Sequence, residues 1–204
     1  MKLPKHEFRR IRIAHLPRAV VVVSSAGRDG RIGAATISWV GVLSSRPTII
    51  GVSFLPDSYT RACIVESREF VVNVPDATMV APTNYLGSVS GPWEVKMKGM
   101  KKALKKSLTL HSSKLIKAPR IEEYYLNFEC RVLNSVQIGL YDCFLGEVLT
   151  MWCNKALYRA DHSRGRLDTS RFSPLFCIGD EYWTSGKRLG VSTENKRHFH
   201  GPQH

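Results

Sequence analysis

Short runs of β-branched and aromatic residues, cut by glycine, proline and serine, dominate the hydrophobic pattern. The run "AVVVVSS" predicts a strand over 18–25, closed by the turn "GRDG". More extended chain is expected over 33–44, and "TIIGVSF" predicts a strand over 48–54. The spacing then changes. "DSYTRACIVESRE" reads as a helix with Asp57 or Ser58 as N-cap and Ala62, Ile64 and Val65 facing inward. "FVVNVP" returns as a strand that Pro75 stops. A helical segment is predicted around 77–87, and "GMKKALKKS" (99–107) predicts a short basic helix. Two long strands follow at 124–138 and 141–153, and "SPLFCIGDEYWTSG" (173–186) predicts an extended piece with a turn.

Strands come first, helices are inserted, and strands return. This is not the alternation of a doubly wound sheet. It predicts a mainly β fold, a closed or nearly closed antiparallel β-barrel with peripheral helices. The glycines agree: "GRDGRIG" joins strand to strand and lacks dinucleotide-binding spacing, "GKRLG" lacks the phosphate-loop spacing, and "GSVSG" puts Val89 where a nucleophile elbow requires Ser. With no repeat, low-complexity tract or obvious linker, the 204 residues are expected to form a single domain.

Composition narrows the class. No apolar run is long enough for a membrane helix, and the opening "MKLPKHEFRRIRIAHLPR" lacks an apolar export region, so the expected location is cytoplasmic. The five cysteines (63, 130, 143, 153, 177) form no C-x-x-C pair and are expected to be buried free thiols rather than metal ligands or disulfides. The tail "HFHGPQH" offers metal-binding side chains but reads as a weakly ordered terminus. Net charge is +13, and nine Lys or Arg lie between Lys96 and Arg120 with no acid among them. Such a cluster attracts anions: nucleic acid, a membrane surface or a phosphorylated small molecule. A basic barrel gripping nucleic acid is the alternative reading, but no aromatic residue interrupts 96–120 to provide a stacking platform.

The stretch "AATISWVGVLSSRP" (34–47) is unusually rich in hydroxyls for a barrel strand. A planar heteroaromatic ligand carrying a phosphate would account for it. Trp39 supplies a flat apolar neighbour, while Thr36 and Ser38 with their amides match a ring edge. Ser58, Tyr59 and Thr60 open a helix after the strand containing Ser53, offering hydroxyls and free amides to a phosphate. Lys96, after "SGPWEV", supplies a cation.

On these residues the chain resembles the flavin reductase-like, FMN-binding split-barrel proteins, within them the flavoredoxin branch. The resemblance runs over about 14–190 and rests on "AATISWVGVLSSRPTIIGVSF", "SYTRACIVESREFVVNVP", "SGPWEVK", "YLNFECRV", "FLGEV" and "YWTSGKRLG". It implies a Greek-key antiparallel barrel and noncovalent FMN. It also implies that Thr36, Ile37, Ser38 and Trp39 line the flavin ring. Ser53, Ser58, Tyr59 and Thr60 would receive the phosphate, and Lys96 would approach the ring. The resemblance further implies an NAD(P)H-dependent flavin reductase or a flavoredoxin-like electron carrier, with NADH or NADPH as possible donor. It implies a homodimer and a possible redox protein partner; from the lack of a long apolar run, no membrane association is expected. Gly33 stands where family members often have Asn, and Tyr141 near where they tend to have His.

Overall fold

The computed structural model describes residues 15–160 and 165–186. In chain order the elements are β1 (Arg18–Ala19), β2 (Val21–Ala26), β3 (Ile32–Ile37), β4 (Val40–Ser45), β5 (Thr48–Phe54), α1 (Tyr59–Ser67) and β6 (Glu69–Val74). Then come α2 (Val80–Ser88), α3 (Trp93–Leu104), β7 (Leu110–His111), β8 (Arg120–Ile121), β9 (Leu126–Ile138) and β10 (Tyr141–Cys153). The last are β11 (Tyr158–Arg159), β12 (Arg166–Leu167), β13 (Leu175–Ile178) and β14 (Glu181–Thr184).

Seven strands pair antiparallel in the order β3-β2-β6-β9-β10-β5-β4. The two edge strands, β3 and β4, are consecutive in sequence, and only Ser38 and Trp39 separate them. The chain therefore steps directly from one edge of the sheet to the other, which rolls the sheet into a split barrel. Ser53 N–H donates to the Trp39 carbonyl at 3.0 Å and holds the step against β5. The connection from β5 through α1 to β6 passes over the β9–β10 hairpin, since β5 pairs with β10 and β6 with β9. This is the Greek-key crossing.

The two-residue period of the strands decides what fills each side. Val21 and Val23 of β2 point into the barrel with Ile37, Val52, Phe54, Phe70, Val72 and Phe144. Val22, on the opposite face, lies under the helices with Leu86, Trp93, Met100 and Tyr124. That is why β2 is buried along its whole length, Ser24 and Ser25 included, whose hydroxyls donate to Pro119 O and Glu69 O.

A third layer covers β6 and β9. Ile116 and Ala118 pack on Val71, and carboxylates grip the covering loop by its main chain. Buried Glu129 accepts from Lys114 N at 2.9 Å, Leu115 N at 2.8 Å and Trp152 Nε1 at 2.6 Å. Glu69 accepts from Lys117 N at 2.7 Å, and Glu123 from Thr109 N at 2.9 Å.

Several expectations are corrected. The extended stretch 33–44 is two strands broken at Ser38–Trp39, because the chain changes sheet edge there. In α1 the buried stripe is Thr60, Cys63 and Ile64, so Val65 falls off it and is exposed. The short basic helix expected at 99–107 is α3, which starts at Trp93 and ends at Leu104. Lys105 adopts a left-handed backbone (φ 54°) that terminates it, so Lys105 and Lys106 lie beyond the helix. Of the five free cysteines only Cys63 and Cys130 are buried. The "HFHGPQH" tail lies outside the described residues.

Candidate functional site

A cleft of about 440 Å³ opens where the barrel is split. All nine residues singled out from the sequence line it: Thr36, Ile37, Ser38, Trp39, Ser53, Ser58, Tyr59, Thr60 and Lys96. A larger cavity of about 930 Å³ lies away from them, around Asp168 and Arg159.

The floor is the β3–β4 step. Ser38 and Trp39 leave the ladder just where the sheet edges meet; the Trp39 carbonyl accepts from Ser53 N–H, while the Ser38 hydroxyl has no partner among the described residues. Beside the step, the hydroxyl of Thr36 in β3 donates to Thr83 O in α2 at 2.5 Å. Trp39 remains 38% exposed and packs against Tyr141, with ring centroids 5.4 Å apart. The guanidinium of Arg18 lies 5.3 Å from the same indole. Tyr141 thus extends the aromatic wall at the position where a His was the expected family residue.

One end of the cleft is the start of α1. Ser58 caps it, its hydroxyl accepting from Arg61 N at 3.4 Å. The amides of the first turn have no intrahelical acceptor and carry the positive end of the helix dipole. Among the described residues the hydroxyls of Ser38, Ser53, Tyr59, Thr60 and Ser90 have no hydrogen-bond partner, although Thr60 is only 1% exposed. Gly33 lets this helix approach. A Cβ there would lie 2.8 Å from Thr60 Cα. Arg61 pairs with Asp142 at 2.5 Å, tying α1 to the strand that carries Tyr141.

The other end comes from α2, α3 and the turn between them. Leu86, Gly87, Ser88, Val89 and Ser90 line it, and the sequence reading did not select them. The available signal was the "GSVSG" run of small residues: Gly87 brings the end of α2 onto Thr36, where a Cβ would sit 3.1 Å from Thr36 Cβ.

Lys96 sits in the first turns of α3, buried at 2% exposure. Its Nζ donates to Ala34 O at 2.6 Å and Leu86 O at 3.1 Å, joining α3 to β3 and the end of α2. Two of the ammonium's three N–H bonds are taken, and one remains for a ligand. Burial pulls its pKa down to about 8, so the group is cationic at neutral pH.

A split antiparallel barrel thus brings a helix start, an aromatic floor and a buried ammonium to one cleft. The comparisons give the family. Residues 13–171 match the flavin reductase like domain, and the chain belongs to that family. An uncharacterized protein of Archaeoglobus fulgidus is 40% identical over 114 residues, 56% of this chain and 61% of that one. The chain therefore spans less than two thirds of that relative. An NADPH-flavin oxidoreductase of Streptomyces viridifaciens is 30% identical over 136 residues, 66% of each chain. Flavoredoxin of Desulfovibrio vulgaris (Miyazaki F) superposes with a TM-score of 0.81 at 22% identity, covering 95% of this chain and all of that one. Flavoredoxin from Methanosarcina acetivorans gives 0.73 at 27% identity over 97% of both chains. The split-barrel fold expected from the sequence is the fold observed.

Two outcomes follow from this geometry. Gly33→Asn should force α1 away from β3 and cost about 1–3 kcal/mol, as overpacking does; chemical denaturation should show the loss. An unchanged midpoint would mean that α1 yields freely. For Lys96 the sign of the pH dependence is set by burial. Below its folded pKa of about 8 the ammonium is charged in both folded and unfolded states, and the full desolvation cost is present. Between 8 and the model-compound value of 10.5 the unfolded chain binds the proton more tightly, so stability rises with pH. Melting temperatures should therefore shift in favour of wild type relative to Lys96→Met as pH rises from about 7 to 10; parallel curves would contradict this.

Proposed function

We propose that the cleft binds FMN noncovalently and that the protein transfers electrons through it, as an NAD(P)H-dependent flavin reductase or a flavoredoxin-like carrier. The observation that carries this is the convergence of unpartnered hydroxyls and the start of α1 at one end of the cleft, with Trp39 and Lys96 further along it. Ser53, Ser58, Tyr59 and Thr60 hold the phosphate by hydrogen bonds and the helix dipole. Ile37, Ser38 and Trp39 bear on the ring, and Lys96 sets a positive charge beside it. When bound, FMN supplies the redox chemistry; the chain supplies orientation and electrostatics. One phosphate cradle favours the mononucleotide over a dinucleotide flavin.

The same reading makes the chain one domain with a core of about 14–190, cytoplasmic, with no membrane or nucleic-acid role. Among the described residues no helix is long and apolar enough to cross a membrane. It is also a homodimer. Val42 and Leu43 on edge strand β4 and Val136, Ile138 and Leu140 around the β9–β10 turn are exposed at 46–75%, an apolar surface that a second copy would cover. Sedimentation equilibrium should give twice the 23.0 kDa chain mass, and Val42→Glu with Leu43→Glu should shift it to the monomer. A wild-type monomer would end the dimer proposal.

Reconstituted protein should be yellow and release FMN on heating. Hydrogen bonds to a charged group contribute on the order of 1.5–3 kcal/mol each, so Ser58→Ala with Thr60→Ala should raise the FMN dissociation constant at least ~10-fold in a fluorescence titration. Failure to bind FMN at all defeats the flavin reading; unchanged affinity in the variant puts the phosphate elsewhere. Anaerobic addition of NADH or NADPH then separates the two roles, since rapid bleaching marks a reductase and slow bleaching a carrier.

A further inference from the structure

The lysine run has a role that the cleft does not use. Lys98, Lys101 and Lys102 are exposed on α3, Lys105 and Lys106 on the segment that follows it, and Lys114 and Lys117 on the neighbouring loop. Among the described residues none of these seven forms an ion pair or a side-chain hydrogen bond. The nearby carboxylates of Glu123, Glu129 and Glu69 take the main-chain amides of Thr109, Lys114, Leu115 and Lys117, and none forms an ion pair with the ammonium groups of those two lysines.

Such an arrangement opposes folding. Like charges three and four positions apart, as in Lys98, Lys101 and Lys102, repel on a helix surface. The helix dipole favours Lys101 and Lys102 in the last turn, but it does not account for Lys105, Lys106, Lys114 or Lys117. The opposite face of α3 buries Trp93, Lys96 and Met100, and Lys96 lines the cleft. One helix thus has the cleft on its inner side and, with Glu94 as its one carboxylate among Lys98, Lys101 and Lys102, a net cationic surface on its outer side, about 10 Å apart, the width of a helix.

We propose that the outer face of α3, continued through Lys106 and flanked by Lys114 and Lys117, is the docking surface for an acidic electron-transfer protein. The proposal rests on the flavin reading for its purpose. Lysines are strongly hydrated point charges, suited to fast, weak, steered encounters rather than to bidentate grip. No Phe, Tyr or Trp lies between 96 and 120 to stack a nucleic-acid base. With FMN bound as the anionic two-electron-reduced form, two successive encounters would each pass one electron to one partner molecule, and its one redox proton would leave to solvent. No bond forms at the docking surface.

A fluorescently labelled acidic [2Fe–2S] ferredoxin serves as the probe, titrated with the purified protein in both the flavin-free and FMN-reconstituted states. Its affinity should fall at least ~10-fold between 20 and 200 mM NaCl, through screening of the charges. Lys105→Glu should weaken association at least ~3-fold at low salt, whereas Lys155→Glu, the same charge change on a different surface, should alter it by less than ~1.5-fold. Both positions are exposed, so circular dichroism should show both variants folded. No association at 20 mM salt, or equal effects of the two substitutions, overturns the proposal. So does tighter binding to a DNA duplex or to phosphatidylserine vesicles. FMN binding is read separately, so protein that fails to bind flavin yet docks the probe fails the cofactor reading and not the docking surface.

Discussion

Closure of the sheet through two residues is the constraint on which the remaining features depend. β3 and β4 are the two edges of a seven-stranded sheet, yet Ser38 and Trp39 are all that joins them. Edge strands are ordinarily a liability because their amides and carbonyls lack partners. Here the chain itself spans the gap, and the Ser53–Trp39 hydrogen bond fastens it. The barrel interior is sealed, but the step cannot be laddered on both sides. Its hydroxyls, amides and indole are left facing outward, and the cleft forms over them. The site is what remains of the barrel's incomplete closure.

The helices turn that gap into an enclosed cleft, and Lys96 fastens them to it. A buried ammonium is tolerated only with good acceptors, and it finds them in Ala34 of β3 and Leu86 of α2. Its charge is therefore fixed in place by the same bonds that dock α3. At the other end Gly33 brings α1 onto β3, while Arg61 and Asp142 tie α1 to β10 and so to Tyr141. Anion-receptive end, aromatic wall and cation belong to one packed unit. Changes at any of the three should be felt in stability as well as in binding.

Strand content and the residues around the cleft were legible because each carried a local signal. β-branched runs marked the strands, Ser58 announced a cap, and the T-x-S-W segment had too many hydroxyls for a sealed barrel. Other features carried no such signal. The break at Ser38–Trp39 contains neither Gly nor Pro, since it is imposed by the long-range pairing of β3 with β2 and of β4 with β5. The start of α3 was missed because Pro92 stands at its cap with no side-chain hydrogen bond, and a proline reads locally as a turn. Tyr141 looked like a departure from pattern until its contact with Trp39 was visible. Gly33 likewise makes sense only once Thr60, distant in sequence, is packed against it.

The grip of Glu69, Glu123 and Glu129 on main-chain amides has a consequence for how this surface can diverge. A loop held through its side chains must conserve them. A loop held through its peptide groups does not, because every residue except proline brings the same N–H. Positions 114, 115 and 117 are therefore open to replacement without loosening the layer over β6 and β9. The scaffold prescribes the path of the chain there and leaves its chemistry unprescribed. Related barrels can accordingly carry different charge patterns on this face, at little cost to the cleft beneath.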